Sequence, residues 1–119
     1  MLNLDTHILV YLISGDLTEA EISSMTDEDL AISDVVLWEI AKLIRLKKVE
    51  LDLHSQAFQK LLSTLTVIPI NLEIARISTA LDFRGDPADE IIAATSVVEN
   101  IRLMTRDAKI HKSKIVPFA

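Results

Sequence analysis

"GDPADEIIAATSVVENIRLMTRD", residues 85–107, combines three features whose order sets the fold. The run Ile91–Val98 is apolar on nearly every side of a helical wheel, so a helix over 87–99 has to be buried all round. Pro87 suits a first helical position, where an N–H is not needed, and Asp86 before it is placed to cap. A short apolar strand, 102–104, follows almost at once and ends in the polar turn Thr105-Arg106-Asp107. A buried helix feeding a short strand is the unit of a parallel sheet covered on both faces.

The same alternation extends outward. Strands are expected at 2–4, 30–33, 66–70 and 114–116, beside the one at 102–104. Helices are expected at 6–13, 18–25, 34–48, 55–65 and 71–82, with a helical turn between the last two strands. Thr18 with Glu21 three residues on has capping-box spacing, and Ser55 is a cap for the helix that follows it. Both glycines and all three prolines fall near segment ends. No repeat, low-complexity tract or linker interrupts the pattern. The expectation is one domain over 1–119, an α/β three-layer α/β/α sandwich with a short-stranded parallel sheet. Ligands in such sheets bind beyond the carboxyl ends of the strands, so the polar residues there carry the function.

Composition narrows the chemistry. Of 119 residues, 50% are apolar but only 4% aromatic, so the core must be aliphatic. The absence of cysteine excludes disulfides and thiolate metal sites. No basic leader precedes Asp5, and no apolar run approaches the roughly 18–20 residues of a membrane helix. A cytoplasmic protein that does not enter membranes is expected. Charge is uneven: residues 1–34 hold eight acids and no Lys or Arg, while residues 100–119 hold five bases and one acid. That basic end is either a solvated face or a phosphate-contacting edge. The net charge of −6 means that a nucleic-acid partner would need a local cation.

Asp5 follows the first strand and Asp107 follows the 102–104 strand, which places both at one edge of the sheet. Glu39 lies on the helix over 34–48 among Val35, Val36, Leu43 and Leu46, off the arc of Asp34, Trp38, Lys42 and Arg45. Asp89 projects from the first turn of the buried helix, where the helix dipole favours its charged form. Simpler readings stand beside these. Asp5, Asp86 and Asp107 can each cap a helix, Glu39 can pair with Lys42, and Glu90 can face solvent or pair. Capping does not, however, account for four acids at one rim. Carboxylates packed together repel, and a divalent cation resolves the conflict. Oxygen ligands alone select Mg²⁺ or Mn²⁺ over zinc, and His7, His54 and His111 show no ligand spacing. Such an ion suits phosphodiester hydrolysis by activated water. Thr6 and Thr105, next to Asp5 and near Asp107, are placed to orient a carboxylate.

On "NLDTHILVYLI", "AISDVVLWEIAKLIRLKKVEL" and "GDPADEIIAATSVVENIRLMTRD", together with the terminal segment, the chain resembles a PIN domain of the VapC toxin type. The resemblance spans the whole length and matches Asp5, Glu39, Asp89 and Asp107 to that family's acids. It implies an Mg²⁺- or Mn²⁺-dependent endoribonuclease acting on RNA, commonly a homodimer, held in check by a cognate antitoxin. Two features depart from the family pattern: Glu90 stands where relatives often carry Arg, and Arg84-Gly85 where His-Arg is frequent. Two other classes fit parts of the sequence. One is a receiver-like signalling module, which lacks here the paired acids after the first strand. The other is a catalytically inactive interaction module whose acids only cap helices.

Overall fold

The computed structural model describes residues 1–119. Four short strands, β1 (Leu2–Leu4), β2 (Leu30–Ser33), β3 (Thr66–Ile68) and β4 (Arg102–Met104), form one parallel sheet in the order β3-β2-β1-β4. Parallel neighbours require crossovers, and helices supply them. The crossovers are α1 (Thr6–Ser14) and α2 (Glu19–Met25), α3 (Asp34–Arg45) and α4 (Gln56–Thr64), and α5 (Leu72–Ser78) and α6 (Pro87–Glu99); α7 (Ala108–His111) follows the last strand. Leu2, Asn3 and Leu4 are all fully buried. Successive strand residues face opposite sides, so the sheet is covered on both faces. Asn3 identifies one cover: its Nδ2 donates to the Ile92 carbonyl at 3.1 Å and to Ser96 Oγ at 2.9 Å, which ties β1 to α6.

The core is aliphatic, built on Leu2, Leu4, Ile8, Leu9, Ile32, Ile40, Ile92 and Leu103, with Phe83 its one aromatic cluster member. The helix starts follow local chemistry. Thr18 and Glu21 form the full capping box of α2. Ser55 Oγ accepts from Phe58 N at 3.1 Å to begin α4. Asn100 takes the left-handed conformation (φ 54°) that ends α6, and the Ile101 amide returns to the Ser96 carbonyl at 3.1 Å.

Three expectations are corrected. The segment 114–116 is not a strand. Its amides are taken by side chains: Lys114 N by Asp82 Oδ2 at 2.7 Å, and Ile115 N and Val116 N by Ser113 Oγ, each at 3.2 Å. The sheet edge is met slightly later, where Leu103 N donates to the Pro117 carbonyl at 2.8 Å and Ala119 N to the Leu103 carbonyl at 3.0 Å. The helix expected over 34–48 stops at Arg45, since Lys47 turns left-handed (φ 59°). The helix expected over 71–82 ends at Ser78.

From β1 the chain winds outward through β2 to β3, then returns through α5 and α6 to place β4 on the far side of β1. The reversal leaves a crevice beyond the ends of β1 and β4, where open parallel sheets bind ligands.

Candidate metal centre

Register builds the site. Leu4 pairs with Met104, so the next residues, Asp5 and Thr105, are neighbours across the strand ends. Thr105 Oγ1 donates to Asp5 Oδ2 at 2.6 Å, and Thr6 N donates to Asp5 Oδ1 at 2.8 Å. Asp5 is only 5% exposed, yet each of its oxygens has a donor. Neither oxygen is therefore buried without a partner. Asp5 is also the residue before α1, so its capping and its place at the rim coexist.

Glu39 and Asp89 come from helices that pack on each other, α3 and α6. Thr6 Oγ1 donates to Glu39 Oε1, which turns that carboxylate toward Asp5. Glu39 does not pair with Lys42, whose ammonium lies 4.8 Å over the Trp38 ring. It also lies off the buried line of α3, which is Val36 and Ile40. One carboxylate oxygen from each of Asp5, Glu39 and Asp89 falls within 4.8 Å of the others.

Asp107 stands slightly apart. Its Oδ1 accepts from Lys109 N at 2.8 Å and Ile110 N at 3.3 Å, so one oxygen caps α7 while the residue lines the same cavity as the other acids. Asp86 occupies the N-cap position of α6, but its side chain makes no cap hydrogen bond. The expected cap is therefore absent, and Asp86 lines the cavity instead. Glu90 is partly buried and has no ion-pair partner.

The cavity, about 300 Å³, is walled by these five acids and by His7, Tyr11 and Arg106. Burial first, then the charges of Asp5, Glu39, Asp107 and Asp86, push Asp89 up to about 7. A carboxyl group held near neutrality by its neighbours is what a bound cation would relieve. The donor set is all oxygen, which fits Mg²⁺ or Mn²⁺ and not a thiolate- or imidazole-selecting metal.

The three non-acidic wall residues were not singled out as site residues by the sequence reasoning. His7 is exposed and tilted against Tyr11, with ring centroids 6.3 Å apart. Arg106 lies 4.1 Å over the Tyr11 ring and pairs with Glu21. That pairing is the main reason Glu21 is pulled down to about 2. The available signal was their spacing: His7 and Tyr11 are one helical turn apart just after Asp5, and Arg106 precedes Asp107. The other two histidines lie outside the cavity. His111 Nε2 meets the Thr105 carbonyl at 2.7 Å, and its ring stacks on Phe118.

Residues 3–115 match the model of the PIN domain. The chain belongs to the PIN domain family. Among PIN proteins it is similar to Ribonuclease VapC22 of Mycobacterium tuberculosis, with 28% identity over 90 residues covering 73% of this chain and 69% of that protein. It is also similar to a toxin–antitoxin complex from Klebsiella pneumoniae, with a TM-score of 0.70 and 26% identity over 92% of this chain and 88% of the other. The fold matches VapBC2 from Rickettsia felis bound to a promoter DNA fragment, with a TM-score of 0.74, 22% identity, and coverage of 100% and 98%. No helix of this PIN domain is long and apolar enough to cross a membrane.

Proposed function

We propose that this PIN domain, working as one unit over 1–119, is an Mg²⁺- or Mn²⁺-dependent endoribonuclease and the toxin of a toxin–antitoxin pair. The observation that carries the reading is the approach of Asp5, Glu39 and Asp89 to within 4.8 Å at the switch point of the sheet. Support comes from the relatives, one named a ribonuclease and another solved as a toxin–antitoxin complex.

Asp5, Glu39, Asp89 and Asp107 are the residues that would hold the ion. When bound, the metal would supply Lewis acidity toward a phosphoryl oxygen and a more acidic water. The chain's own contribution is placement. Thr105 and Thr6 fix the Asp5 carboxylate, Thr6 also fixes Glu39, and α6 presents Asp89 from its first turn. Asp107 keeps one oxygen free of its capping role. Asp86 adds negative charge at the cavity mouth. The partners of this reading are an RNA substrate, a second copy of the chain and a cognate antitoxin, all in the cytoplasm.

The test is cleavage of single-stranded RNA by purified protein. Mn²⁺ or Mg²⁺ is expected to support it and EDTA to stop it. Asp5→Asn and Asp89→Asn should each lower the rate by at least about 100-fold with circular dichroism unchanged. Full activity of Asp5→Asn would overturn the reading.

A further inference from the structure

The cavity presents a substrate problem. Five carboxylates line it in a protein of net charge −6, and RNA brings one negative charge per nucleotide. One cation balances part of this at the phosphate being cut but not at its neighbours. Of the wall residues only Arg106 carries a permanent positive charge.

Its setting is that of a residue held for contact. Nε donates to Glu21 Oε2 at 2.9 Å, while Nη2 donates to Glu21 Oε1 at 2.7 Å and to the Asp16 carbonyl at 3.0 Å. The guanidinium also lies 4.1 Å over the Tyr11 ring. Anchors on α1, the α1–α2 turn and α2 thus grip one edge and one face of the group. None of these three hydrogen bonds uses Nη1. The side chain keeps 40% of its exposure. Glu21 is itself fixed, since its Oε1 also accepts from Thr18 N at 2.8 Å in the α2 capping box. A guanidinium held through Nε and both hydrogens of Nη2, with Nη1 left to reach a phosphate, has already lost the flexibility that phosphate binding would otherwise remove.

We infer that Arg106 is a substrate-binding residue of the site, which takes a backbone phosphate of single-stranded RNA adjacent to the phosphate at the acid cluster. This rests on the ribonuclease reading above. Glu21 and Tyr11 act through Arg106 as positioning residues.

The experiment measures Mn²⁺-supported cleavage of a short oligoribonucleotide by the full chain at several salt concentrations. Arg106→Gln is expected to raise KM roughly 10-fold with kcat little changed, and to reduce the slope of log(kcat/KM) against log salt by about one charge. Glu21→Gln removes the same internal ion pair but keeps the cation, so it should retain the salt slope. A second arm replaces single phosphates flanking the cleaved bond with neutral methylphosphonates. At one position, wild type should lose about the same factor that Arg106→Gln loses, and Arg106→Gln should be indifferent. If Arg106→Gln and Glu21→Gln shift KM and salt slope alike, Arg106 only braces the fold and the inference is overturned. An unchanged KM and slope in Arg106→Gln, with wild type active, overturns it as well while leaving the ribonuclease reading intact. Absence of cleavage by wild type would overturn that reading and this inference together.

Discussion

Asp89 sits where burial and four neighbouring carboxylates all favour the neutral acid. In the folded chain it binds a proton more readily than in the unfolded chain, where the ordinary value is 3.8. The stability this brings is complete below about 3.8 and is lost as pH rises through about 7. Without metal, the melting temperature should therefore fall between pH 5 and pH 8, and Asp89→Asn should flatten that fall. Because Asp89 is only half-buried, solvent screening should hold the effect to roughly 1–2 kcal/mol. Glu21, Glu28, Glu73 and Asp82 are shifted downward and act with the opposite sign, but only below their ordinary values of 4.5 and 3.8, outside this window. Adding Mn²⁺ should stabilise the protein by RT ln(1 + [L]/Kd), more at pH 8 than at pH 6, because the ligand must be ionised. A flat response in a thermal-shift titration would count against a metal at this site. At Asp5 the question is aim. Thr105→Val removes the donor to Oδ2 and should lower activity more than it lowers stability.

At the scale of elements, the helix starts were legible because caps are local chemistry. Thr18, Glu21 and Ser55 do what their spacing predicts. Asp86 was misread on the same rule, because residue type and position specify a cap only if the carboxylate turns back to the helix amides, and this one does not. The two serve as a paired test. Ser55→Ala should cost about 1 kcal/mol in chemical denaturation, and Asp86→Ala only a few tenths. The segment 114–116 shows the opposite limit. Its apolar pattern reads as a strand, but Asp82, more than thirty residues away in sequence, claims a backbone amide there. Glu39 was singled out by its apolar neighbours on α3, whereas what holds it at the cavity is a hydrogen bond from Thr6. Helical periodicity alone carries no information about that partner.

Over the whole molecule, the alternation of short strands and helices determined the layers, and the strand-end rule indicated where acids would gather. Strand order was not in the pattern. It arises from the return of β4 to the far side of β1. The same adjacency accounts for two of the five bases in the C-terminal segment. Arg102 pairs with Glu28, and Arg106 with Glu21, so the basic end of the chain meets the acidic beginning across the sheet edge. His7, Tyr11 and Arg106 converge only once β1 and β4 are neighbours, so spacing along the chain hinted at them without selecting them. Raising ionic strength should weaken these exposed pairs slightly and RNA binding much more, which separates folding from substrate capture when both are followed in one salt series.

The left-handed turn at Asn100 has one more effect. Only Asn100 and Ile101 join α6 to β4, and the Ile101 amide is already committed to Ser96, so the distance between Asp89 and Asp107 is a ruler with no play in it. The stretch from Lys47 to Ser55 supplies no wall of the acid-lined cavity. A Gly-Ser-Gly insert after Lys48 should be tolerated at a cost below about 1 kcal/mol, whereas the same insert after Asn100 should silence the site even if the chain still folds. A reporter peptide therefore has a safe berth after Lys48 and a forbidden joint after Asn100.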